Sequence, residues 1–291
     1  MSSDIMPMTE PRPRRQRSHR SGATDAALLF DEPGPRGRIL IAIGSVVAVI
    51  GIAALAAAVL YRLDLAGQLD YPKWRYFLGQ SVVSQLLDAA GTTLTLGGVA
   101  AVLTFPLGIA LGWLRLLDNR PIKWLVGLWI DAMRAVPMLL LVYFFLLVVP
   151  RFATISDFWK LALPIVMCTS ATTAEVFRSG VRALDRGQTE AAWALGMSPS
   201  LTMRLILAPQ ALRLMLPTLI TQMVTIIKGT TLAYVLAYPE LMYRGSTMIG
   251  QAKIDAHLSV FFQTYVIIAV LYIIVNWSLG ALARYIESRT R

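Results

Sequence analysis

The chain has 291 residues, 56% of them hydrophobic and only 15% charged, where a soluble domain carries about a quarter charged residues; the composition therefore excludes an ordinary soluble protein and points to an integral membrane one. The net charge of +10 does not indicate nucleic acid as a partner, because the cations fall in loops between apolar runs and no aromatic residues interleave with them. Cys168, the single cysteine, lies in an apolar stretch, which excludes a disulfide framework and reads as a small core residue.

Met1–Arg38 is polar, contains "PRPRRQRSHR", and has too little apolar surface to offset the entropy of ordering. It is expected to be a disordered basic tail (1–38) suited to an anionic cytoplasmic leaflet. The apolar run Ile39–Tyr61 is long enough to span a bilayer. A cleaved signal peptide is the rival reading, on the small residues of "ALAAA", but the long polar lead favours an uncleaved first transmembrane helix (39–61). Residues 62–88 then form an extracytoplasmic connection. Within it Trp74, Phe77, Leu78, Val82 and Leu86 recur three to four residues apart, which fits an interfacial helix over Pro72–Leu87 and equally a lead-in turn with aromatic anchors.

Further spans are expected near Ala89–Leu114, Trp124–Val149 (with Trp124–Asp131 along the interface), Trp159–Phe177, Leu212–Ala237 and Val260–Ala283, followed by a short segment, 284–291. The expected fold class is all-α transmembrane with six transmembrane helices. Lys and Arg number 18 on the side of the N-terminus and 7 on the other, with Arg134 and Lys228 inside spans. The positive-inside rule accordingly puts both termini in the cytoplasm.

The cytoplasmic segment 178–211 is unlike its surroundings. Thr189 is placed to cap a short helix with Glu190 in its first turn, and Ala191 and Ala192 keep that helix slim. Gly196 suits the left-handed position that ends helices. Ser198 caps again and Pro199 takes the first position of a second helix. From these residues alone, a surface on which another protein pushes and a plain solvated connector stand equal.

"EAAWALG" (Glu190–Gly196) followed by "LAPQALRLMLP" (Leu207–Pro217) resembles the EAA loop of ATP-binding-cassette (ABC) importer permeases. Within them the chain resembles the polar-amino-acid permease family, the inner-membrane subunits of binding-protein-dependent importers. "RAVPMLL" (Arg134–Leu140), "AEVFRSGVRALDRGQTEAAWALG" (Ala174–Gly196) and "KGTTLAYVLAYPEL" (Lys228–Leu241) are similar to that family's elements in the same order, and the likeness covers residues 86–287. It implies a five-helix type I importer permease core (89–283) with the tail and first helix added. The 178–211 loop would be a coupling element seated on a cytoplasmic ABC ATPase dimer, with Glu190 as polar anchor, Ala191 and Ala192 packing, Gly196 setting the angle, and Ser198 and Pro199 opening the second helix. It further implies a second permease chain, identical or paralogous, an extracytoplasmic amino-acid-binding protein, and a multi-pass place among the lipids of a bacterial cell membrane.

No lysine of this chain (73, 123, 160, 228, 253) is followed by Ser or Thr, so no phosphate-binding P-loop is present. The chain is expected to be no enzyme and to hold no cofactor, with ATP and Mg on the partner ATPase. His19 in the tail and His257 in an outer loop form no metal-ligand spacing with other residues.

Charge inside a membrane costs about 2.5–3.5 kcal/mol on insertion scales, so Lys228 needs a reason. With Gly229, Thr230 and Thr231 it suits a locally unwound helix that binds a carboxylate; pairing with an acid of a neighbouring subunit is the other reading. Arg134 is a second candidate, or it snorkels to the cytoplasmic face. Glu175 is placed to pair with either cation or with Arg178. The family often has Asp where Gly229 stands, so the resemblance implies a more positive site here, favouring glutamate or glutamine over arginine or lysine. The expected function is the permease subunit of an ATP-driven polar-amino-acid importer. The contrasting class is a stand-alone secondary transporter or channel, which has no need of a Glu-Ala-Ala helix pair.

Overall fold

The computed structural model describes residues 34–290, and every regular element among them is helical. The expected disordered tail lies outside the described residues up to position 33; its last residues do not, because a helix, α1 (Pro35–Leu65), begins there with Pro at its first position. Both ends of α1 overrun the expected Ile39–Tyr61, since backbone hydrogen bonding, rather than apolarity, sets where a helix stops. The chain divides into two units, Met1–Ala66, which holds α1, and Gly67–Arg291.

The second unit opens with α2 (Tyr71–Arg75) and a 3-10 turn (Tyr76–Leu78), then breaks at Gly79, whose backbone is extended, before α3 (Gln80–Leu114). A single interfacial helix over Pro72–Leu87 is therefore not what forms. Phe77, Val82 and Leu86 instead pack with Met248, Ala252 and Val260 in an internal cluster. Helical spacing of apolar residues marks a buried face without saying whether lipid or another helix covers it.

α4 (Arg120–Ala135) and α5 (Met138–Leu147) replace the expected unbroken span Trp124–Val149. They meet at an angle of 96°, because Pro137 lacks an N–H and pushes Val136 into extended backbone. α6 (Asp157–Arg182) follows. Next come α7 (Arg186–Ala194), α8 (Pro199–Thr202), a π turn (Met203–Leu207), α9 (Ala208–Gly229) and a 3-10 stretch (Thr230–Leu236) that ends with Ala237 at φ +53°. α10 (Leu241–Asp255) and α11 (Phe261–Thr290) complete the unit. α10 lies between the expected spans Leu212–Ala237 and Val260–Ala283, and its buried residues Leu241, Gly245, Met248 and Ala252 recur at helical spacing. α11 carries the chain past the expected span end at Ala283, through the segment assigned to a separate C-terminus.

α6 is the centre, packed by α3, α4, α5 and α9. Its buried positions include Ala162, Cys168, Ser170, Ala171, Thr173, Ala174 and Gly180, small residues that let neighbouring backbones close in. α3 answers with glycine: a Cβ on Gly108 would stand 2.5 Å from Cβ of Thr173, and one on Gly112 would stand 2.6 Å from the Ala174 carbonyl oxygen. The hydroxyls of Thr104 and Thr169 join the same two helices by a 2.8 Å hydrogen bond. Such a bond contributes about 0.6 kcal/mol in a membrane protein.

Among the described residues four helices are long and apolar enough to cross a membrane, and the bent pair of α4 and α5 makes five if it counts as one. α6 is not among them, which follows from its position: a helix enclosed by others need not be dissolved in lipid tails, and it exchanges leucines for packed threonines and alanines.

Candidate functional site

The segment expected to act in coupling begins one turn earlier than the residues suggested. Asp185, and not Thr189, caps α7, its Oδ1 accepting from the Gly187 N–H at 2.7 Å. Glu190 therefore sits beyond the first turn, exposed. Ala191 is exposed as well, while Ala192 is the one buried residue of α7, directed into the chain where α7 lies against α8 and the π turn. Gly196 ends the helix as expected, at φ +75°. The Met197 N–H donates to the Ala192 carbonyl at 3.0 Å and the Gly196 N–H to that of Trp193 at 2.9 Å, the paired bonds of a Schellman turn. Ser198 then accepts from the Leu201 N–H at 3.4 Å with Pro199 in first place.

The second short helix is not free-standing. α8 runs through the π turn into α9, so that Pro199–Leu236 forms one long helical run. The other end of the segment is joined to the core helix α6 across Ala183–Asp185, and Gln210 Nε2 donates to Gln188 Oε1 at 3.3 Å across the fold. Outward, Leu195 is 81% exposed and Trp193 57%. A force on α7 would thus reach both the central helix and a crossing helix through short, hydrogen-bonded connections.

The polar elements deeper in the bundle divide into two groups. α9 tightens to a 3-10 helix directly after Gly229, with the Thr230 hydroxyl donating to the Ile227 carbonyl and the Thr231 hydroxyl to that of Lys228, both at 2.7 Å. The backbone is irregular where unwinding was expected, though wound tighter. Lys228 is exposed, and no carboxylate among the described residues reaches it within salt-bridge distance. A Cβ on Gly229 would stand 3.4 Å from Met138 Sδ, so the "RAVPMLL" bend and the "KGTT" element adjoin, while Arg134 itself is exposed at the end of α4.

Glu175 belongs to the other group. It accepts from Arg178 Nε at 3.0 Å, as foreseen, and from Arg115 Nη1 at 3.1 Å. Arg115 also forks onto Asp131 at 3.1 and 3.2 Å. No salt bridge joins Glu175 to Arg134 or Lys228 among the described residues. Glu175 shares a cavity wall with Met215 and Thr218 of α9, and Lys228 lies ten residues beyond Thr218, about 15 Å along the helix. Arg115 and Asp131 were missed by sequence reading because their pairings join residues 16 and 60 positions apart, which no local spacing reveals. Also missed was Glu240, fully buried, which accepts from the Tyr243 N–H and the Tyr272 hydroxyl, both at 2.8 Å, and so fixes the start of α10 against α11.

Comparison with known proteins places this architecture. Residues 104–291 match the family described as "binding-protein-dependent transport system inner membrane component". The chain is 32% identical over 211 residues to the probable glutamine ABC transporter permease protein GlnP of Bacillus subtilis, covering 72% of this chain and 95% of that one. It is 34% identical over 230 residues to the glutamate transport system permease protein GluD of Corynebacterium glutamicum, covering 77% and 82% respectively. A crystal structure described as an amino acid ABC transporter with histidines has the same fold at a TM-score of 0.64 and 24% identity, covering 72% of this chain and 95% of that chain. The family match takes in α4 to α11, the α7 and α8 segment included, and the chain belongs to the binding-protein-dependent transport system inner membrane components.

Proposed function

We propose that the chain is the permease subunit of an ABC importer that brings a polar amino acid, glutamate or glutamine in preference to arginine or lysine, into the cytoplasm. The observation that carries this reading is the coupling segment: Glu190, Trp193 and Leu195 stand exposed on a helix tied at one end to α6 and through α8 to α9. The glutamine- and glutamate-transport relatives support the choice of substrate, as does Lys228, left without an acid beside Gly229. In this reading α6 is the sixth crossing, enclosed by its neighbours, and both termini are cytoplasmic. ATP and Mg are bound by a paired cytoplasmic ATPase seated on α7 and α8, since this chain has no P-loop. A second permease chain, identical or paralogous, completes the pathway, and an extracytoplasmic binding protein delivers the amino acid. Ala191 meets the ATPase, while Ala192 seats α7 on its own chain.

A stand-alone secondary transporter or channel does not fit a family defined by dependence on a binding protein. The test is uptake into proteoliposomes holding the full complex and binding protein, comparing the natural chain with Glu190→Lys plus Gly196→Asp. ATP-dependent flux is expected to vanish in the variant while the permease still inserts and assembles. Flux carried by this chain alone, without ATP, would overturn the proposal.

A further inference from the structure

At the end of the bundle where α6 passes toward the coupling segment, the last turns of α3 and α6 and the length of α4 enclose a cavity of about 410 Å³. Arg115, Lys123, Arg178 and Arg182 line it, with Asp131 as the acid among the lining residues. Two of the cations are already compensated, Arg115 by Asp131 and Glu175 and Arg178 by Glu175. Lys123 and Arg182 have no carboxylate within salt-bridge distance among the described residues. Both are exposed, so the cavity presents two positive charges, with no acid of this chain among the described residues paired to them, that are open to an anion from outside.

The remaining wall is apolar and bears on which anion fits. Trp124 and Leu128 line the same cavity and are 66% and 55% exposed. They lie on α4, which is turned by 96° from α5, and Leu125 and Trp129 of the same helix are exposed beside them. Indole rings favour the level of the headgroups, and basic pockets between helix ends take lipid phosphates. A soluble phosphate ion would use the cations and leave this apolar rim uncovered; a phospholipid uses both.

We propose that this cavity binds the headgroup of an anionic phospholipid, with Lys123 and Arg182 meeting the phosphate and Trp124 and Leu128 meeting the glycerol and upper acyl chain. Assigning the site to the cytoplasmic leaflet rests on the import reading, whereas binding itself does not. A lipid held between α3, α4 and α6 sits on the helix that leads into the coupling segment.

The test uses the full chain purified in a neutral detergent and native mass spectrometry, titrating dioleoyl phosphatidylglycerol, dioleoyl phosphatidylcholine and inorganic phosphate separately. One phosphatidylglycerol is expected to be retained in preference to phosphatidylcholine. Its affinity is expected to fall about thirtyfold in Lys123→Gln plus Arg182→Gln, at roughly fivefold per removed cation. Lys123→Arg plus Arg182→Lys should retain it, as should Lys253→Gln, which removes a cation elsewhere. Equal retention of the two lipids, or unchanged retention in the double glutamine variant, would overturn the proposal. So would competition by millimolar inorganic phosphate with no lipid selectivity, which would make the ligand a soluble anion. Because the readout is binding, a failed uptake experiment leaves this result standing, and the reverse holds too.

Discussion

Gly229 is the residue at which specificity is most open to test. Its neighbours are Met138 Sδ, 3.4 Å from where a Cβ would stand, and Ile165 at 3.8 Å, so an aspartate enters with only a small shift of a flexible methionine. Gly229→Asp would set a carboxylate next to Lys228 and cancel the positive field proposed to favour an acidic or zwitterionic substrate. The ratio of glutamate to arginine uptake is expected to fall about tenfold, equivalent to about 1.4 kcal/mol of differential affinity; an unchanged ratio in competition uptake would remove Lys228 from the substrate path. Residue-level inference worked well where backbone chemistry is local. Gly196 at φ +75° and Ser198 with Pro199 at a helix start are legible because a left-handed turn and a cap depend on only a few consecutive residues. At Glu175 it reached the nearer partner, Arg178, and missed the second, Arg115, which lies 60 residues away.

Among the elements, the tight pairing of α3 with α6 supports the rest of the core. Gly108→Val would drive its side chain into Thr173 and toward the Ser170 carbonyl, 2.9 Å from the new Cβ. Neither the Ser170 backbone nor a branched residue in the middle of a buried helix can swing aside. The cost is expected to be about 1–3 kcal/mol, read as a lower thermal unfolding midpoint in detergent, whereas Thr104→Val, which removes one interhelical hydrogen bond, should cost about 0.6 kcal/mol. Equal midpoints for Gly108→Val and the natural chain would mean that α3 and α6 are not in backbone contact. The long apolar helices α1, α3 and α11 were legible from their runs of hydrophobic residues. α10 and the break between α4 and α5 were harder to see. The first lies in a loop of mixed composition, and the second turns on one Val-Pro pair inside an otherwise uninterrupted apolar stretch.

For the molecule as a whole, sidedness is the property that the coupling proposal depends on. With Cys168, which is buried, replaced by Ala, single cysteines at two exposed positions, Thr154→Cys and Ser200→Cys, report the two faces. A membrane-impermeant maleimide should label Thr154→Cys in intact cells and Ser200→Cys only after permeabilisation; the opposite pattern would place α7 and α8 outside and end the coupling proposal. The sequence by itself determined the membrane class, the helical architecture and the glycine-broken pair of short helices around Gly196, because apolar run length and capping residues are local quantities that survive without a fold. Only the tertiary structure decided that α6 is the enclosed core, that Ala192 faces its own chain, that Glu175 serves Arg115 and Arg178 rather than Lys228, and that four cations converge on one cavity. The enclosure of α6, the Arg115–Glu175 pair and the four-cation cavity join segments far apart in the chain, and it is packing, through small residues that permit close approach, that brings such segments together.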